Sequence, residues 1–282
     1  MIVRTYSELS FFINMFKNGN SDLLILESRG GLGKSRLFES IMTEEPYLRI
    51  LSHITPLQLF ILGYKNLHKP ILIDDVDGLL HNDENLSLLK MYCETRDIKE
   101  IAWHTTSSLL KNAEVPPSYE TKSKVCILTN NFRELTKKVS ALKDRGWHIY
   151  FNPTDQEILN KIREIISGVK KEVALEEKLE VFNLIKEYSR FCEISLRTFV
   201  KGLDLFKECK NKEVSWKKIL LNEMKINPKL VLLNELLEKY KTDKERVEEW
   251  EKKGFSRRSY YDYKNLLVQK CGDNLEGQIR IS

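Results

Sequence analysis

The sequence is poor in the features that staple or anchor a chain. Its five cysteines, Cys93, Cys126, Cys192, Cys209 and Cys271, are odd in number, widely scattered and form no C-x-x-C pair. That spacing excludes a zinc-finger framework and a disulfide scaffold, and predicts buried or incidental thiols in a reducing, cytoplasmic setting. No apolar run approaches the ~20 residues that span a bilayer, and the apolar part of MIVRTYSELSFFINMF is too short for a signal peptide, so no membrane partner is expected. Internal repeats and low-complexity tracts are absent from the 282 residues. Neither charge sign dominates: 46 Lys and Arg face 41 Asp and Glu, a net +5 that is compatible with a polyanionic partner but short of the basicity of a packaging protein. With 41% hydrophobic and 31% charged residues the composition is that of a folded globular chain, long enough for two or three compact units.

What is present alternates. A short amphipathic helix is predicted over residues 5–17, a turn at Asn18-Gly19-Asn20, and a strand at Leu23–Leu26 followed by a helix from Lys34 to about Met42. The run YLRILSHIT, the helix-like PLQLFILGYKN, the unbroken aliphatics of PILIDD, a helix over 84–95, and the strands KVCIL and WHIYF continue the pattern. Strands alternating with helices predict an α/β parallel-sheet core over residues 1–152. Asn152-Pro153-Thr154-Asp155 reads as a boundary with a helix start, after which an all-helical segment, 153–212, and a small helical C-terminal domain, 213–282, are expected.

The sharpest motif is ESRGGLGKS, at the end of the first long strand. Glycines let backbone N–H groups turn inward around an anion, and the following helix N-terminus adds unpaired donors and a favourable dipole. Gly33, Lys34 and Ser35 match the end of the P-loop pattern G-x-x-x-x-G-K-[ST], Gly30 and Gly31 lie within it, and Ser28 stands where the pattern begins with glycine. Lys34 is therefore expected on the β- and γ-phosphates of ATP and the Ser35 hydroxyl on Mg2+. Such a loop needs an acid at the tip of a neighbouring buried strand; ILIDD supplies Asp74 for the metal and Asp75 as general base.

In these motifs and their order the chain resembles the AAA+ ATPases over roughly residues 5–210. The resemblance implies a polar residue at the tip of the strand KVCILTNN, with Asn130 first and Asn131 second, to place the attacking water. It implies that Arg145, in SALKDRG, reaches the nucleotide of a neighbouring subunit, and hence a homo-oligomer, a ring or filament. It makes Arg197, in ISLRTFVKGL, the second sensor, a residue that reports the phosphates to a helical lid. ILIDD is similar to replication initiators and ALKDRG to branch-migration motors, so the clade stays open between them.

Two segments carry the question of partner. Between the acidic strand and the sensor strand, Trp103, Tyr119, Lys122 and Lys124 either face nucleic acid in a pore or belong to a connector that covers the sheet. Farther on, TDKERVEEWEKKGFSRRSYYDYKNLL has the logic of a helix-turn-helix, with Val247 and Trp250 on one face, a turn at Gly254 and Ser256 as the next N-cap. Arg257, Arg258, Tyr260 and Lys264 would then meet DNA, with Tyr261 extending the surface. The expectation is an ATP hydrolase that couples its cycle to binding or remodelling DNA in replication, recombination or mobile-element transfer. The alternatives are an ATP-gated platform on DNA with slow hydrolysis, and a protein remodeller or signalling switch whose last helices hold a protein partner.

Overall fold

The computed structural model describes residues 1–51, 54–74, 82–104, 108–130, 142, 144–210 and 212–271. They divide into two compact units, Met1–Pro153 and Thr154–Ser282.

Among the described residues of the first unit, eight strands and five helices follow one another: β1 (Ile2–Val3), α1 (Tyr6–Lys17), β2 (Leu23–Glu27), α2 (Lys34–Ile41), β3 (Leu48–Leu51), α3 (Pro56–Lys65), β4 (Ile71–Asp74), α4 (Asp83–Tyr92), β5 (Lys99–Ala102), α5 (Leu109–Asn112), β6 (Ser118–Thr121), β7 (Val125–Thr129) and β8 (Trp147–Phe151). Six of the strands form one sheet in the order β1-β8-β2-β7-β4-β3, every pair parallel. The three central strands, LLILE, ILID and VCILT, are buried at every position, because helices cover both faces of a parallel sheet. Burying each Leu or Ile contributes roughly 1.5–3 kcal/mol. The edge strand LRIL is buried only at Ile50. Capping boxes open α1 (Thr5 with Glu8) and α3 (Thr55 with Gln58, Pro56 in the first turn), which places both helix starts where the sequence pattern puts them.

β5 and β6 form a separate antiparallel pair, Lys99 opposite Thr121, that short charged stretches such as KEIA did not announce. Its apolar side joins the core. Tyr119 is buried, shares a hydrogen bond with the Tyr92 hydroxyl at 2.6 Å, and donates to the Phe60 carbonyl at 2.8 Å, while Trp103 packs on the same cluster. Of the two readings of this segment, these contacts favour the connector that covers the core, and they leave Tyr119 no face for nucleic acid. Cys93 and Cys126 are fully buried with free thiols, and burial pushes the Cys93 thiol up to about 12, so it carries no thiolate chemistry.

The second unit is helical throughout its described residues: α6 (Asp155–Ile165), α7 (Leu175–Tyr188), a 3-10 turn (Ser189–Phe191), α8 (Leu196–Cys209), α9 (Trp216–Glu223), α10 (Pro228–Lys239), α11 (Asp243–Lys252) and α12 (Arg257–Cys271). Leu230, Leu233, Leu236, Val247, Trp250, Tyr260 and Leu267 build the core of α10 to α12, and Phe191 enters the same cluster. Gly254 between α11 and α12 has φ +86°, a left-handed turn that glycine adopts without strain. Ser256 then accepts the Ser259 N–H at 3.3 Å, as its N-cap position requires.

Asp243, at the start of α11, ties this bundle together. It accepts from Arg246 Nη1 at 3.0 Å, from the Tyr260 hydroxyl at 2.8 Å and from Lys264 Nζ at 2.6 Å. Burial raises its carboxyl pKa, but the hydrogen bonds from Lys264, Tyr260 and Arg246 outweigh burial and hold it below the ordinary value of 3.8. A depressed carboxyl contributes stability that is present above its unfolded pKa and is lost as the pH falls through its folded pKa. Asp243→Asn is therefore expected to cost roughly 1–2 kcal/mol at neutral pH. Urea unfolding at a series of pH values should show the gap to the wild type narrowing below about pH 4; a gap equally wide at low pH would show that charge at Asp243 is not what holds the bundle.

Candidate functional site

The loop between β2 and α2 is placed by its neighbours. Leu23 to Glu27 of β2 pair with Val125 to Thr129 of β7, and Ser28 extends the ladder by donating its N–H to the Thr129 carbonyl at 3.2 Å. The tips of β2 and β7 therefore end level, and β4 ends beside them with Asp74 opposite Leu128. Gly31 and Gly33 both have φ +81°, so the loop turns twice through the left-handed region before α2 begins. Its far side is pinned by the Tyr6 hydroxyl, which donates to the Leu32 carbonyl at 3.0 Å.

Lys34 is the first residue of α2 and is buried. Its ammonium donates to the Ser28 carbonyl at 3.0 Å, to Ser28 Oγ at 2.7 Å and to Asn130 Oδ1 at 3.0 Å. All three of these acceptors are neutral, so the positive charge under the loop is solvated but not cancelled by them, and a phosphate oxygen would bind it more strongly. The serine that replaces the first glycine of the P-loop pattern thus takes part in holding the lysine. One residue on, Ser35 Oγ donates to Asp74 Oδ1 at 3.0 Å. A hydroxyl and a carboxylate brought together at a helix N-terminus are hard oxygen donors of the kind Mg2+ takes, so the residues present fit that ion. Among the described residues no cluster of three or more His, Cys, Asp or Glu side chains could hold a metal.

The motif residues separate into those the structure brings together and those it leaves apart. Ser28, Gly31, Gly33, Lys34, Ser35, Asp74 and Asn130 form one constellation, with Gly30 exposed at the loop's outer edge. Asp75 and Asn131 lie outside the described residues. Arg145, just before β8, is half-buried and donates through Nη1 to the carbonyl of Lys90, in the last turn of α4. Arg197 is exposed in the first turn of α8, with Phe199 and Leu203 of the same helix buried.

At the far end of the chain two expectations are corrected. Tyr260 is completely buried against Trp250 and Lys264 is spent on Asp243, so neither belongs to a DNA-facing surface. Their positions in α12 put them on the face that closes the bundle, a period-3.6 stripe with Leu267. Arg257, Arg258 and Tyr261 are exposed on this helix.

Two residues in the first unit escaped the sequence reading. Arg49 of β3 donates through Nη2 to Asp74 Oδ2 at 2.8 Å and also pairs with Glu39 of α2, and the hydrogen bond to Asp74 raises its pKa further above the usual guanidinium value. Glu27, buried at the tip of β2, pairs with His148 Nε2 at 2.9 Å. In the sequence Arg49 shows only as a lone charge inside the run LRIL; its place beside the acidic strand comes from the pairing of β3 with β4.

Counted from β2, the parallel strands run 5-1-4-3-2, and the described residues that follow the sheet are helical. No protein-family model matches the chain. Among curated proteins it is similar to an uncharacterized 36.7 kDa protein of the nrdC-mobD intergenic region of Enterobacteria phage T4, 24% identical over 240 residues that make up 77% of this chain and 73% of that one. Among solved structures it is similar to domain III of the Thermotoga maritima replication initiation protein DnaA (17% identity, 77% of this chain and 91% of that chain, TM-score 0.48). It is also similar to a Thermotoga maritima RuvB mutant (15% identity, 83% and 75%, TM-score 0.45) and to katanin (13% identity, 75% and 71%, TM-score 0.43). Among the described residues no helix is long and apolar enough to cross a membrane.

Proposed function

We propose that this chain is an AAA+ ATPase that binds and hydrolyses ATP in a homo-oligomer and couples this to binding or remodelling DNA. The observation that carries the reading is Lys34 held under a twice-turned glycine loop, one residue from the Ser35–Asp74 pair. In this reading the loop N–H groups and Lys34 bind the phosphates, and Ser35 and Asp74 hold Mg2+. When bound, the ion neutralises charge on the transferring phosphoryl group. Asp75 takes the proton of the attacking water, Asn130 positions that water, Arg145 acts on a neighbouring subunit's nucleotide and Arg197 senses the phosphates from the lid. Residues 153–212 serve as that lid and 213–282 as the DNA-binding part, where Arg257 and Arg258 open a helix after a glycine turn and remain exposed.

The test is ATP turnover by the purified chain at several protein concentrations, with and without single- and double-stranded DNA. Turnover should rise with both concentration and DNA. Replacing Arg257 and Arg258 together by alanine should remove the DNA stimulation, leave basal ATP binding intact, and lower the salt slope of DNA binding by about 2. Turnover indifferent to DNA would sink the DNA half of the reading. The ATP-gated platform with slow hydrolysis is the second reading; the hydrogen bond from Arg145 to its own chain's Lys90 supports it, since that guanidinium must be released before it can act elsewhere.

A further inference from the structure

Arg49 brings a fixed positive charge to the carboxylate that the nucleotide-binding reading assigns to the metal. Both oxygens of Asp74 are engaged: Oδ1 accepts from Ser35 and Oδ2 accepts from Arg49. The Asp74 side chain is 12% exposed, so water screens this ion pair poorly. The Arg49 side chain, on the edge strand, is 34% exposed and has a second carboxylate within reach, Glu39 at 30% exposed. It can therefore leave Asp74 without stranding its charge in an apolar environment.

We propose that Arg49 is a charge gate on the cation site: it competes with Mg2+ for Asp74, and withdraws onto Glu39 when the metal and nucleotide enter. This rests on the nucleotide-binding reading above. A guanidinium beside a dication repels it, so Arg49 sets how much Mg2+ the site requires. Glu39, by drawing Arg49 away from Asp74, lowers that requirement. The two residues thus act with opposite sign, which a merely structural contact would not produce.

Binding of a fluorescent, non-hydrolysable ATP analogue to the full chain, titrated with MgCl2, reads the cation half-saturation without turnover. Arg49→Gln is expected to lower it on the order of tenfold, and Glu39→Gln to raise it by roughly three- to tenfold. Arg49→Lys keeps the charge and should stay within roughly threefold of the wild type. Arg49 lies on an exposed edge, so the variants are expected to fold, and melting curves without nucleotide check this. An unchanged or higher half-saturation in Arg49→Gln overturns the gate, as does wild-type binding that ignores Mg2+. Absence of analogue binding by the wild type at any Mg2+ concentration overturns the nucleotide reading itself, and the gate with it.

Discussion

Lys34→Ala is expected to weaken nucleotide binding on the order of 100-fold or more, about 3 kcal/mol, the worth of charge-assisted hydrogen bonds in a sheltered site. The size follows from the surroundings of the ammonium. Its hydrogen bonds to Ser28 and Asn130 are to neutral oxygens and fix its place under the loop, where an incoming phosphate would meet a charged donor already in position. The same geometry predicts that the loss appears in affinity, since Lys34 reaches the phosphates before any bond is broken. Isothermal titration with ATP, with circular dichroism as a check of folding, measures it. Undiminished affinity would falsify the assignment of residues 28–35 as a phosphate loop.

Trp250→Ala is expected to cost ~3–5 kcal/mol in the second unit, the range for a large aromatic removed from a packed core. Trp250 is fully buried, lies 4.9 Å from the Phe255 ring and near 6 Å from Tyr260 and Tyr263, and donates its indole N–H to Ser259 Oγ at 3.0 Å. Truncation removes the ring that α12 closes over and leaves a cavity between three helices. Set against the roughly 5–15 kcal/mol that stabilises an ordinary domain, the loss should shift urea unfolding far toward low denaturant. Trp250→Phe, which retains most of the volume but not the indole N–H, should lose markedly less. A shift under about 1 kcal/mol for the alanine variant would mean that the bundle does not depend on this core.

Much of the candidate site is local in sequence, and that is why its residues could be picked out. Gly31, Gly33, Lys34 and Ser35 are consecutive or nearly so, and Asp74 ends an aliphatic run whose burial the sequence pattern announces. The central strands were legible for the same reason, and the structure places β2, β4 and β7 within a residue or two of where their apolar runs suggest. Arg49 was not legible because its role arises from pairing across the sheet: nothing in YLRILSHIT says that its neighbour is the acidic strand. The strand positions of β5 and β6, and the two-residue β1, were not read because none of them has enough apolar length to show a period. The errors at Tyr260 and Lys264 are of another kind. Aromatic and basic residues next to two arginines looked like a contact surface, but helical spacing turns Arg258 and Tyr260 to different faces, and only a bundle partner such as Asp243 reveals which face is inward.

The order of the strands also sets a sequence of events in time. β2, which leads into the glycine loop, has β7 and β8 as its two neighbours, and both lie beyond residue 124. As the chain leaves the ribosome from its N-terminus, the glycines and Lys34 emerge early but have no ladder to fix them, and Asn130 is not yet made. The loop therefore acquires its shape only after most of the first unit has been synthesised, and β1, paired with Tyr150 and Phe151, closes the sheet last. A nascent chain released before β8 should consequently show no nucleotide affinity, even though every residue of the phosphate loop is already present in it.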